Sequence, residues 1–212
     1  MNRVENPTIA AAEGAICATY KRFPIVLVEG RGASLWDSEG RRYTDFVAGI
    51  AVCNLGHAHP AVAEALCRQA KRLLHVSNLF YTVPQTELAA WLTAHSFAAR
   101  VFFCNSGAEA NEAALKLVRK YFNDRGAVGR RRVVAMERSF HGRTMATLSA
   151  SGQEKVRQGF EPVLAGFEFV PFNDIDALAR VVDEATAAVV LEPLQGEGGV
   201  RPPAPGYLQA VR

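Results

Sequence analysis

The sequence predicts an α/β fold built on a mostly parallel sheet with helices covering both faces. Two observations carry this. Short apolar runs recur at Val101-Phe102-Phe103-Cys104, Val133-Val134-Ala135-Met136 and Ala187-Ala188-Val189-Val190-Leu191, with Phe167 to Val170, broken by Glu168, as a further strand. Unbroken apolar character, rather than strict alternation, suits strands buried on both faces. Helix-like stretches lie between these runs, residues 107–121 and 174–182 among them, as parallel strands need for their crossovers.

In chain order, residues 8–20 read as a helix that Pro24 ends, and Ile25-Val26-Leu27-Val28 as a short strand. Ala33-Ser34-Leu35-Trp36-Asp37 and Arg42-Tyr43-Thr44-Asp45-Phe46 flank the turn Ser38-Glu39-Gly40, a hairpin signature. A turn rich in Gly and His follows at residues 54–60. Pro60 suits a helix start, and Val62, Leu66, Ala70 and Leu73 recur at helical spacing behind it. A second helix begins near Pro84 with Leu88, Trp91 and Leu92 on one side. From there strand and helix alternate, down to the first turns of a helix at residues 207–212. A sheet left with an open edge at that point is a liability, so the chain is expected to be the front part of a longer protein.

With 49% apolar and 21% charged residues, the 212-residue chain has the composition of a globular protein with a sizeable core. A net charge of +3 argues against a nucleic-acid surface, and Arg130-Arg131-Arg132 reads as a solvated turn before a strand. Cys17, Cys53, Cys67 and Cys104 form no C-x-x-C pair and have no histidine at ligand spacing. Reduced, partly buried thiols and no metal are expected. The polar start, Met1 to Pro7, lacks the apolar stretch of a secretion signal, and no run is long enough for a membrane helix. The expected setting is cytoplasmic.

Three segments at strand ends carry chemistry. In Cys104-Asn105-Ser106-Gly107-Ala108-Glu109-Ala110-Asn111, small residues open a helix whose first N–H groups and dipole suit a phosphate. An ordinary turn capped by Ser106 explains the same residues. Ser139-Phe140-His141-Gly142-Arg143-Thr144 sets a flat ring beside a guanidinium, able to stack on a planar ligand and grip a carboxylate. A core phenylalanine, a structural histidine and a surface arginine are the plainer alternative. Glu192-Pro193-Leu194-Gln195-Gly196-Glu197-Gly198-Gly199 is a flexible acidic loop, suited to a cationic group or to plain solvation. Two carboxylates also suggest glycoside hydrolysis.

In order and wording, these loops resemble the class III aminotransferases, pyridoxal-phosphate enzymes of fold type I. The resemblance spans essentially the whole chain. It includes residues 35–46, Gly49-Ile50-Ala51-Val52 and Leu55-Gly56-His57-Ala58-His59-Pro60 as well as the three loops. It implies a truncated three-layer αβα fold, with residues 1–59 as an N-terminal segment and 60–212 as the first part of the large cofactor domain. It also implies pyridoxal 5'-phosphate as cofactor. Gly107 and Ala108 would hold its phosphate through their amides, with Ser106 shaping the turn. Phe140 would stack on its ring and Glu192 would stand near it. Arg143 would bind the carboxylate shared by donor and 2-oxoglutarate, and Glu197 would act as a gate that pairs with a C-terminal arginine.

Ile50 implies the donor. Similar ornithine aminotransferases carry a tyrosine there, which helps bind a free α-amino group, and isoleucine suits an acylated one. The implied reaction passes the δ-amino group of N2-acetylornithine to 2-oxoglutarate, yielding N-acetylglutamate 5-semialdehyde and glutamate, as in arginine biosynthesis. N-succinyl-diaminopimelate is a second implied donor. Ornithine, succinylornithine and 4-aminobutyrate transaminases are the near alternatives. The resemblance further implies a homodimer, with residues 78–82 near its interface or Phe80 in a plain core role. One expected feature is missing. The cofactor-holding lysine follows an Asp-Glu-Val-Gln segment in this family, and neither occurs here. The five lysines, Lys21, Lys71, Lys116, Lys120 and Lys155, lack that context, so the chain alone is expected to be inactive. A non-catalytic remnant that binds only cofactor or a subunit is the other reading.

Overall fold

The computed structural model describes residues 6–212; the first five residues of the polar start lie outside it. Two compact units divide the chain, one up to Gln85 and one from Thr86, whereas the sequence reading drew its boundary after residue 59.

The first unit opens with α1, Pro7–Ala15. Asn6 caps it by accepting the Thr8 N–H at 3.0 Å, and proline fills the first turn. The expected helix to residue 20 stops at Ala15, and Ile16 is already extended. Gly14 and the β-branched Ile16 and Thr19 weaken helix propensity there. β1 (Leu27–Arg31), β2 (Ser34–Asp37) and β3 (Arg42–Thr44) form the antiparallel order β1-β2-β3, with Gly30 opposite Leu35 and Leu35 opposite Tyr43. The hairpin stands as expected, while β1 starts two residues later than the apolar run, with an irregularity between Leu27 and Glu29.

Asp37 fastens the hairpin turn. Its Oδ1 accepts the N–H groups of Glu39 and Arg41, each at 2.9 Å. Its Oδ2 accepts the Tyr43 hydroxyl and Arg41 Nε, each at 2.7 Å. The Tyr43 hydroxyl foremost, with the Arg41 side chain and the two amides, holds this carboxyl far below the usual aspartate range, against an opposing push from burial. A carboxyl depressed by folding stabilises the native state above its unfolded pKa of about 4, and that contribution is lost as pH falls toward the folded value. Asp37→Asn should therefore flatten the acid limb of stability. Urea midpoints measured from about pH 5 down to about pH 2 should fall less steeply in the variant than in the parent. Parallel slopes would show that Asp37 is not what the acid titrates.

Beyond β3, Ala48, Gly49, Ile50 and Ala51 all have positive φ, between 48° and 65°. They form α2 (Ala48–Ala51), one left-handed turn, with Val47 O accepting the Ala51 N–H at 3.0 Å and Ala48 O accepting that of Val52 at 2.9 Å. Left-handed geometry costs about 1–2 kcal/mol for each residue other than glycine. Asp45 offsets this by accepting the N–H groups of Val47 and Ala48, each at 2.9 Å, while His57 Nε2 stands 2.6 Å from its other oxygen. That pairing with His57, first among its partners, lowers the Asp45 pKa. α3 (Pro60–Ala70) and α4 (Val83–Ala94) follow. Between them Phe80 is 65 % exposed, so it takes no core role among the described residues.

In the second unit the expected strand at residues 101–104 is absent. The segment has no strand beside it. An apolar run gives a tendency to strand, but a ladder needs a neighbour. α5 (Gly107–Asp124) and β4 (Arg132–Met136) come next, then α6 (Met145–Ala150), α7 (Glu154–Arg157), β5 (Phe167–Val170), α8 (Ile175–Val181), β6 (Thr186–Val190) and α9 (Tyr207–Val211). The sheet is parallel in the order β5-β4-β6, with Val134 opposite both Glu168 and Val189. Val134 and Met136 pack with Val170, Phe172, Ala177, Leu178 and Tyr207 in one core. By strand alternation Val133 and Ala135 face the other side, and they are buried too. α5 lies against β6 and α6. The short helices α6 and α7 are not read from the sequence: at six and four residues they are too short to show a helical stripe.

Arg132 reaches Glu168 and Asp183 and donates to Val181 O at 2.8 Å. Arg130 donates to Thr186 O at 3.0 Å and lies 4.7 Å from the Phe122 ring centroid. Two of the three arginines thus serve internal contacts, where a solvated turn was expected. Cys17, Cys67 and Cys104 are exposed, and Cys53 is intermediate, so the thiols are less buried than expected. No helix among the described residues is long and apolar enough to cross a membrane. No group of three or more potential ligands among them could hold a metal ion.

Candidate active site

In a parallel sheet, loops leaving the carboxyl ends of neighbouring strands emerge on the same side. Residues 137–144 leave β4 and residues 191–201 leave β6, and hydrogen bonds tie these two segments to each other. The start of α5 is tied to the first of them.

At the start of α5, Ser106 is extended, with φ −155° and ψ 160°, and its hydroxyl accepts the Glu109 N–H at 3.1 Å. The Glu109 carboxylate turns back to accept the Asn105 N–H, so the helix is capped from both directions. The N–H groups of Gly107 and Ala108 keep no acceptor among the described residues. A Cβ built on Gly107 would meet nothing within 4 Å. An 18-residue helix therefore presents two unpaired amides at its positive end, a fit for a phosphate.

The second loop is clamped onto this helix. Asn111 Nδ2 donates to His141 O at 2.8 Å, and Thr144 Oγ1 donates to Glu112. Gly142 closes the contact: at φ 134° its missing Cβ would fall 2.5 Å from Thr147 Oγ1 and 2.9 Å from Ala108 Cβ. His141 is buried, as the structural alternative held. Its N–H donates to Ser151 Oγ at 2.9 Å, its Nε2 finds no partner among the described residues, and burial pushes its pKa down. Phe140 is half-buried, not part of the core, and Arg143 is exposed. The Arg143 guanidinium carbon stands 5.9 Å from the Phe140 ring centroid and has no carboxylate partner among the described residues. A flat ring and an uncommitted guanidinium are thus side by side.

The third loop joins through Glu192, whose carboxylate accepts the Phe140 N–H at 3.1 Å and the Gly196 N–H at 3.4 Å. Gln195 is fully buried and donates to Glu137 O at 2.9 Å. Glu197 is exposed beside Arg138, Gly152, Gln153 and Lys155. The structure therefore brings Ser106, Gly107, Ala108, Phe140, Arg143 and Glu192 into one bonded cluster, with Glu197 on the rim loop. Ile50 lies in the first unit on the left-handed turn, 77 % exposed. Sequence reading missed the clamping roles of Asn111 and Gln195, because nothing in their spacing reveals that they meet His141 O and Glu137 O, 30 and 58 residues away.

Comparison with known proteins decides the family. The Aminotransferase class-III profile matches residues 15–212. The chain belongs to the class III aminotransferases. Among its relatives is the acetylornithine aminotransferase of Thermosynechococcus vestitus, 52% identical over 208 residues, covering 95% of this chain and 50% of that protein. Solved aminotransferase structures resemble the chain as well. The ornithine aminotransferase of Toxoplasma gondii ME49 superposes with a TM-score of 0.91 at 35% identity, over 98% of this chain and 50% of its own. The N-acetylornithine aminotransferase of Stenotrophomonas maltophilia K279a does so with a TM-score of 0.77 at 40% identity, over 96% and 49%. The chain thus spans about half the length of the relatives it matches. The fold-type-I α/β architecture expected from the resemblance is the one it has.

Proposed function

We propose that the protein to which this chain contributes is a pyridoxal-phosphate-dependent aminotransferase that moves the δ-amino group of N2-acetylornithine to 2-oxoglutarate. The observation that carries the chemistry is the bonded cluster: two unpaired amides on a capped helix, a flat ring, and a free guanidinium within one group of loops. When bound, the cofactor supplies the electron sink for breaking and forming bonds at the amino-bearing carbon. Gly107 and Ala108 would donate to its phosphate, and Phe140 would lie against its ring. Glu192, anchored by the Phe140 amide, would hold a fixed negative charge nearby. Arg143 would grip the carboxylate of donor or acceptor with two parallel bonds. Glu197 would act as a gate, occupying or freeing a cationic partner as the two substrates alternate.

The acetylornithine assignment draws on the names of relatives at about half identity and on Ile50, whose side chain offers no hydrogen bond to a free α-amino group. It is tested in the complete enzyme by comparing kcat/KM for acetylornithine, ornithine, succinylornithine, N-succinyl-diaminopimelate and 4-aminobutyrate. Acetylornithine should lead, and Ile50→Tyr should narrow its margin over ornithine. Ornithine in first place would overturn the assignment while leaving the family intact. Residues 1–212 alone, whose five lysines lack the family context for holding the cofactor, should show no turnover; activity that survives repurification would refute this. A homodimer and a cytoplasmic setting complete the proposal. The exposed Leu79, Phe80 and Tyr81 are the segment offered for the subunit contact, to be checked by sedimentation of the complete enzyme.

A further inference from the structure

Residues 196–200 form a short flap whose base is fastened by Gln195 and Arg201. The two backbones pair there: the Gln195 N–H donates to Arg201 O at 3.1 Å, and the Arg201 N–H to Gln195 O at 2.8 Å. The Gln195 side chain, fully buried, donates to Glu137 O at the end of β4 at 2.9 Å and accepts Arg201 Nη1 at 3.1 Å. Arg201 also stands 5.8 Å over the ring of Phe172, a core residue. Both ends of the flap are thereby tied to sheet and core. Among the described residues, the Gly199 and Val200 N–H groups donate to Gly196 O inside the flap, and the Gly196 N–H reaches back to Glu192 at 3.4 Å. Glu197 near its tip is exposed and has no partner among the described residues. Glu192, three residues before the base, is instead held by the Phe140 amide. The clamp divides a fixed carboxylate from a free one.

We infer that Gln195 and Arg201 are positioning residues that fix the base of this flap, so that Glu197 samples few positions and the balance between the two half-reactions is set. This rests on the reading of Glu197 as a gate. The physical ground is twofold. Opening the base would strip the fully buried Gln195 side chain of its partners, Glu137 O and Arg201 Nη1, and a buried amide is costly to leave unpaired. A tip on a fixed base meets its ionic partner at a high effective concentration, and a loose base dilutes it. 2-Oxoglutarate has a second carboxylate to take the cation the gate frees, whereas the donor, with one carboxylate, leaves that cation to Glu197. Loosening the base therefore weakens the donor half-reaction more.

The test uses the complete enzyme, with kcat and KM measured separately for the amino donor and for 2-oxoglutarate. Arg201→Ala should raise the donor KM about 10-fold, as loss of one charge-assisted bond does, with kcat and the 2-oxoglutarate constants within about twofold. Arg201→Lys, which keeps a cationic donor toward Gln195, should recover most of the loss. If Arg201→Ala fails to fold, Arg201→Met, which keeps an unbranched apolar stem while removing the guanidinium, carries the same expectation. Equal losses in both half-reactions, or no rescue by lysine, would overturn the inference and leave a purely structural clamp. Glu197→Gln separates the two readings. If it leaves the ratio of half-reactions unmoved, the gate itself falls; if it moves the ratio and the Arg201 variants do not, only the clamp is refuted.

Discussion

Gly152→Ala should destabilise the second unit by about 3 kcal/mol or more, the upper part of the range for overpacking a close-packed site. A Cβ at Gly152 would stand 2.1 Å from Met136 O, 2.8 Å from Glu137 Cα and 3.0 Å from Arg138 N. All three are backbone atoms where β4 ends, so no side chain can swing aside to make room. The alternative is to move Gly152, which gives up two bonds: the Arg138 N–H donates to Gly152 O at 2.7 Å, and the Gly152 N–H to Ser139 Oγ at 3.0 Å. Either response shifts the loop that carries Phe140 and Arg143, so cofactor binding should weaken together with stability. Denaturant midpoints of the complete enzyme, read with cofactor titration, check this. A loss under about 1 kcal/mol, typical of a tolerated core change, would mean that the chain passes β4 less closely than the structure has it.

The sequence made legible what depends on local chemistry. The hairpin around Ser38-Glu39-Gly40, the helix capped at Ser106, and the apolar runs that became β4, β5 and β6 were all visible, because turn residues, caps and apolar continuity are written in adjacent positions. The failures share a cause. Residues 101–104 have the composition of a strand, but pairing depends on a neighbour that composition does not name. Ile50 was identified as a residue, yet its left-handed conformation was invisible: Ala-Gly-Ile-Ala has one glycine, and the strain is sustained by Asp45 and His57. Gln195 reads as a loop residue and is among the most buried side chains of the unit. Each of these is settled by a contact across the chain.

Fold likeness and donor choice are also legible at different levels. The chain superposes on an ornithine aminotransferase with TM-score 0.91 and on an N-acetylornithine aminotransferase with TM-score 0.77, while sequence identity runs 35% and 40%. Backbone shape therefore does not sort the donors. One acyl group is recognised by a few side chains, and a site that leaves a polar group unpaired can discriminate without any change of fold. The proposed donor choice therefore turns on side chains such as Ile50, not on backbone shape.

Gly107→Pro should lower the affinity for pyridoxal phosphate by about 10- to 100-fold, the weight of one hydrogen bond to a charged group, while leaving α5 intact. Proline at the first helical position removes only an N–H that the helix does not use, and here that N–H is one of the two unpaired amides. Local geometry accepts the change. Ser106 is extended at φ −155° and ψ 160°, the conformation a residue before proline prefers, and a Cβ on Gly107 meets nothing within 4 Å. The Ser106 cap on Glu109 does not involve the lost amide. Stability of the cofactor-free complete enzyme should therefore change by less than about 1 kcal/mol, because no intrahelical bond is removed. Fluorescence titration with cofactor, paired with circular dichroism, separates the outcomes. Weaker binding on an unchanged fold would assign the phosphate to the α5 amides, whereas unchanged binding would place it elsewhere and reduce this turn to an ordinary helix cap.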